Sequence, residues 1–127
     1  MSKVKPTTAE LEVLNILWDR GPTSVRDVHK QLSQHRDVFY TTTLKTMQVM
    51  HNKGILTRDE SARAHIYFPA IEKSHVERSL IDGLRNTLFS GSTAQLVISA
   101  LGSNKPTTRE LEEIKNIIDK LENDDHA

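Results

Sequence analysis

The chain has 127 residues, 17 Lys/Arg against 17 Asp/Glu, five glycines and no cysteine. The length suits one domain, or one small domain with an accessory segment, and the missing cysteine excludes disulfides and thiolate metal sites and fits a reducing compartment. The zero net charge hides an asymmetry: residues 1–70 hold ten basic and seven acidic side chains, residues 71–127 seven basic and ten acidic, a pattern that predicts two jobs along the chain.

The first residues, MSKVKPTTAELE, contain no apolar segment of the secretory type. No apolar run approaches the roughly 18 residues of a membrane span. These features predict a soluble, cytoplasmic protein.

A first helix is predicted from "PTTAELEVLNILWDRG". Thr7 and Glu10 have the three-residue spacing of a capping box. Leu11, Leu14 and Trp18 recur at helical spacing, widened by Val13, Ile16 and Leu17, and Gly21-Pro22 stops the helix. A second helix follows in "PTSVRDVHKQLSQ", capped by Thr23 or Ser24, with Val25, Val28 and Leu32 inward. After the polar stretch "SQHRDVF" comes a third, "FYTTTLKTMQVMHNKG", ending at Lys53-Gly54. "ILTRDESARAHIYFP" then reads as two short strands, 55–58 and 65–68, around a mobile tip at 59–64, with Pro69 closing the second.

From residue 71 the pattern is helical again. Val76, Leu80, Ile81, Leu84 and Leu88 share one side of "SHVERSLIDGLRNTLF". Gly91-Ser92 interrupts, "STAQLVISAL" forms a short apolar helix, and "GSNKPTT" links it to a last amphipathic helix on Leu111, Ile114, Ile117, Ile118 and Leu121. PTTxELE occurs at 6 and again at 106, one helix-start code used twice, because the sequences that follow diverge.

Helix–helix–helix–hairpin within 70 residues is the order of a winged helix-turn-helix, whose third helix enters the major groove while the hairpin touches the flanking backbone. The third helix is rich in threonine, which lowers helix propensity. Wound at about 100° per residue, it turns Tyr40, Thr43, Leu44, Met47 and Met50 to the core, with the Thr43 hydroxyl expected on a backbone carbonyl. Thr41, Thr42, Lys45, Thr46, Val49, Asn52 and Lys53 fall on the other side, which holds no carboxylate. Thr hydroxyls and methyls, with a Lys, suit phosphate oxygens and base edges. The plainer alternative, that Thr41 and Thr42 only cap the helix, leaves the acid-free face unexplained.

At this point "ELEVLNILWDRGPTSVRDVH", "YTTTLKTMQVMHNKGILTRDESARAHIYFPA" and "LFSGSTAQLVISAL" together resemble the penicillinase repressor family, the BlaI/MecI/CopY group. The resemblance covers nearly the whole chain and is carried by Trp18, Tyr40-Thr41-Thr42, Leu44 and Lys53-Gly54. It implies a mainly α fold: a winged-helix DNA-binding domain over 1–70 with a two-strand wing, and a helical dimerisation region over 71–127. It implies a homodimeric repressor on a palindromic operator, inactivated by cleavage under a membrane metallopeptidase sensor. By position, DNA contacts carry over to Thr41, Thr42, Lys45 and Thr46, and to Arg58 and Arg63 of the wing. The dimer interface is expected on Leu80, Leu84, Leu96, Ile114, Ile117 and Leu121, since small helical tails bury such stripes against a partner.

The chain departs from the family pattern in three places. Val49 stands where arginine is frequent. The candidate cleavage region holds Ser99-Ala100 in place of Asn-Phe. The C-terminal cysteines of copper-responsive members are absent.

Other chemistry finds little footing. His29, His35, His51, His65 and His75 lack tight metal-ligand spacing, although Arg26 and His29 could reach a phosphate. There is no nucleophile elbow and no Gly-rich phosphate loop, and Glu110, Glu112 and Glu113 lie on the outer face of an amphipathic helix. The expectation is no enzyme, no cofactor and no metal. Two other readings stay open: a winged-helix regulator of another type that senses a small ligand, and a protein-interaction adaptor.

Overall fold

A computed structural model describes residues 5–125. In chain order they form α1 (Thr8–Arg20), β1 (Thr23–Ser24), α2 (Val25–Ser33), α3 (Tyr40–Asn52), β2 (Leu56–Asp59), β3 (Ile66–Pro69), α4 (Lys73–Leu88), α5 (Thr93–Ser103) and α6 (Thr108–Asp125). The chain divides into two compact units, the first reaching Ile81 and the second beginning at Asp82.

In the first unit α1 starts at its capping box. The Glu10 N–H donates to Thr7 Oγ1 at 3.2 Å, and the Thr7 N–H donates to Glu10 Oε1 at 2.9 Å, so two amides that a helix start leaves open are satisfied. Gly21 ends the helix at φ +87°, a conformation that favours glycine. Val13, Leu14 and Leu17 of α1 meet Val25, Val28 and Leu32 of α2, Met47 and Met50 of α3, and Ile55, Leu56 and Tyr67 of the hairpin in one buried core. Trp18 packs against it half-buried, and its indole N–H donates to the Ile71 carbonyl at 3.0 Å. That bond ties the chain just beyond the hairpin to α1. The N-terminal part of α4 belongs to this unit and buries Val76.

The sheet differs from the two-strand expectation. It has three antiparallel strands in the order β1-β3-β2, with Thr23 opposite Tyr67 and Ser24 opposite Ile66. A two-residue strand shows no alternation, so only tertiary pairing reveals it. Ser24, not Thr23, caps α2, accepting the Asp27 N–H at 3.2 Å. Thr23 is buried and donates its hydroxyl to the Gly21 carbonyl. The wing strands sit one residue later than predicted. Pro69 pairs with Leu56 as the last residue of β3, a place where its missing N–H is tolerated.

Two expectations for α3 are corrected. Tyr40 is not a core residue but 44% exposed, because its side chain lines the open cleft between the α2 start and the wing, where the His29 ring meets it edge-on at 5.4 Å between centroids. Thr43 is buried as expected, yet its hydroxyl meets His29 Nδ1 at 3.0 Å and not a backbone carbonyl.

The second unit holds the end of α4 with α5 and α6. Ser92 caps α5, accepting the Gln95 N–H. At α6 the second PTTxELE repeats the α1 geometry, with Thr107 N–H on Glu110 Oε1 and Glu110 N–H on Thr107 Oγ1. Neither α5 nor α6 buries a residue. Leu84, Leu88, Val97, Ile98, Ile117, Ile118 and Leu121 are exposed, while Leu96 and Ile114 are half-buried.

Candidate nucleic-acid interface

The polar side of α3 is presented as its periodicity predicts. Thr41, Thr42 and Lys45 are exposed, Thr46 is half-buried and Val49 is exposed beside it. With Thr7, Ala9 and Glu10 of the α1 start they line a shallow groove of about 410 Å³. Phe39 occupies the N-cap without a side-chain hydrogen bond, so the threonines do not cap α3. Their presence is not explained by helix initiation.

The groove has one carboxylate, Glu10, lent by α1. It is 4% exposed. Burial alone would push its pKa up, but hydrogen bonds from Lys53 and from Thr7, with the charge of Lys53, more than offset that and hold it below its ordinary value. Lys53 Nζ lies 2.9 Å from Glu10 Oε2. Lys53 therefore serves the fold, although its place on the helical wheel puts it with the reading face.

A second cleft, about 680 Å³, opens between the α2 start, α3 and the wing. Arg26, Arg58, Arg63 and His65 line it with Tyr40 and Gln48, and no carboxylate does. Arg63 is exposed on the wing loop and has no ion-pair partner among the described residues. Arg58 is engaged: its Nε donates to Glu60 Oε2 at 2.6 Å, Nη1 reaches the Tyr67 hydroxyl at 3.3 Å, and the guanidinium stands 6.0 Å from the Tyr67 ring centre. The Glu60 carboxylate raises the Arg58 pKa, and Arg58 lowers that of Glu60. The wing turn is shaped by Asp59, whose Oδ1 accepts the Ser61 N–H at 2.9 Å.

The two α2 candidates separate. His29 is turned inward, Nδ1 on Thr43 and Nε2 on the Ser33 hydroxyl at 3.3 Å. Arg26 is exposed and faces the cleft. Glu60 and Lys53–Glu10 were missed from sequence. Arg58 and Glu60 stand two apart in an extended segment, so they share a face and could have been paired. Lys53 and Glu10 are 43 residues apart, with no local signal.

Ser99 and Ala100 are exposed inside α5. Among the described residues no cluster of three His, Asp or Glu is placed to hold a metal ion, and no helix is long and apolar enough to cross a membrane.

The sequence model of the penicillinase repressor family matches residues 6–120. The chain belongs to that family. Its members are transcriptional repressors, and the chain is accordingly not an enzyme. It is similar to the methicillin resistance regulatory protein MecI of Mammaliicoccus sciuri, 24% identical over 114 residues that cover 90% of this chain and 93% of that one. It is 35% identical to the transcriptional regulator BlaI of Mycobacterium tuberculosis over 85 residues, 65% of this chain and 62% of the relative. Among solved structures, monomeric BlaI of Bacillus licheniformis in complex with the blaP half-operator superposes with a TM-score of 0.51 at 26% identity, over 58% of this chain and 90% of that one. The regulator Tm0710 of Thermotoga maritima matches the fold alone, at 19% identity and TM-score 0.53, over 95% and 80% of the two chains.

Proposed function

We propose that the protein is a homodimeric transcriptional repressor that binds a palindromic operator through α3 and the wing. The observation that carries the reading is the exposed, carboxylate-free side of α3 within a winged helix. Its support is the half-operator complex of the Bacillus licheniformis relative. Thr41, Thr42 and Thr46 are the groove contacts, and Lys45, Arg58 and Arg63 the phosphate contacts. Arg26 joins them from α2. A second copy covers Leu80, Leu84, Leu96, Ile114, Ile117 and Leu121. Pairing two modest DNA modules raises affinity through effective concentration.

Inactivation under a membrane metallopeptidase sensor fits this reading at the Ser99–Ala100 region. Because both residues are helical, a protease needs α5 to unwind locally before the bond reaches an extended active site.

The deciding experiment is selection of bound sequences from random duplex DNA by the purified protein near physiological salt. A palindrome with half-sites about one helical turn apart is expected. Recovery of no motif, with binding that vanishes as salt rises, would leave charge attraction only and favour an adaptor that uses this surface on a protein.

A further inference from the structure

Four of the six described helices start in the same way. Thr7, Ser24, Ser92 and Thr107 each cap a helix with a hydroxyl that accepts an N–H three residues on. The α3 start places Phe39 in the same extended backbone, φ −77° and ψ 143°, with no side-chain bond. Phenylalanine is a poor N-cap, and the hydroxyl it replaces would stabilise the helix. Phe39 also packs on nothing substantial: it is 81% exposed, more than any other large apolar side chain described. Its ring edges a shallow hollow lined by Ser33, Arg36, Asp37 and Val38. A residue that neither caps nor fills the core contributes to folding at neither level.

Its position supplies a role. In helix-turn-helix proteins the first residues of the recognition helix approach the base edges. Phe39 stands directly before Tyr40, Thr41 and Thr42 at that end. A phenyl ring offers no hydrogen bond to phosphate or to a polar base edge. The apolar feature of the major groove is the thymine 5-methyl group, and Phe is among the side chains that meet it. We infer that Phe39 is a specificity-determining residue that packs on the 5-methyl group of a thymine at the head of α3. This inference rests on the DNA-binding reading above.

The test uses the full-length protein and the duplex recovered by selection. Each thymine is replaced in turn by uracil, which deletes the methyl and keeps the pairing. Wild type is expected to lose about four-fold in affinity at one thymine of each half-site, the worth of one buried methyl group. Phe39→Ala should show no loss at that thymine. Phe39→Ser restores a capping hydroxyl, so it should melt higher than wild type and still ignore the methyl, which separates reading from folding. A Phe39→Ala protein that keeps the wild-type uracil profile overturns the inference. So does one that weakens every duplex equally, as a ring wedged between base steps would. Absence of any sequence-specific complex overturns both this inference and the repressor reading, whereas a specific complex with an unchanged profile overturns this one alone.

Discussion

Lys53, just past the end of α3, is bonded at 2.9 Å to Glu10 in the first turn of α1. The bond fixes one end of the third helix to the start of the first. Glu10 is nearly buried while half of the Lys53 side chain is open to solvent, so removing the lysine strands a desolvated carboxylate. Lys53→Met is expected to destabilise the first unit by about 1–2 kcal/mol, the cost of leaving a buried charged group without its partner, reduced for the exposure of the lysine. Urea unfolding measures it. An unshifted midpoint would mean that water replaces the ammonium.

The same pair sets an acid dependence. Glu10 is held below its ordinary pKa of 4.5 in the folded chain. A carboxyl with a lowered folded pKa gives stability that is present in full above the unfolded value and is lost as pH falls through the folded value. Glu10→Gln should therefore be less stable than wild type at pH 7, and the gap should narrow below pH 4.5. A gap constant from pH 7 to pH 3 would contradict it.

Arg58 faces the cationic cleft but is bonded to Glu60. In the proposed complex a phosphate would compete with that carboxylate for Arg58. Glu60→Gln should therefore bind DNA more tightly at low salt and steepen the slope of log K against log salt by about one. Arg58→Ala in the same background should cancel the change. Equal slopes for wild type and Glu60→Gln would remove Arg58 from the interface.

Lys45 is exposed on α3 and makes no ion pair among the described residues. Lys45→Ala should weaken binding to operator and random duplex alike and flatten the salt slope by about one. A loss confined to the operator would make it a base contact.

Ile117 is 59% exposed on α6. Ile117→Asp should give monomers in sedimentation equilibrium, with poor operator binding and intact far-UV helicity. A surviving dimer would move the interface off α6.

What could be read from the sequence was local in range. The capping boxes at Thr7–Glu10 and Thr107–Glu110 span three residues, and both formed as their spelling requires. The inner faces of α1, α2 and α3 followed from a period near 3.6, apart from Tyr40, which the helical wheel turned inward but which lines an open cleft. Strand β1 escaped because two residues carry no periodicity. The Thr43 partner escaped because a wheel shows that a hydroxyl faces inward but not which group waits there, and His29 reaches it from another helix. In the site, the exposure of Thr41, Thr42 and Lys45 was legible. The engagement of Lys53 was not, since its partner comes from the far end of the domain.

Ser24 belongs to two structures at once, the ladder opposite Ile66 and the cap of α2. The wing therefore cannot hinge away from α2 without disturbing a strand pair and a helix start together. The base of the wing is thereby tied to the α2 start. In the proposed complex, a duplex seated against that pairing would be gauged as by a calliper: one whose backbone spacing matches would enter without deformation, and one too wide or too narrow would have to bend to fit, so local groove shape would be measured even at base pairs no side chain touches.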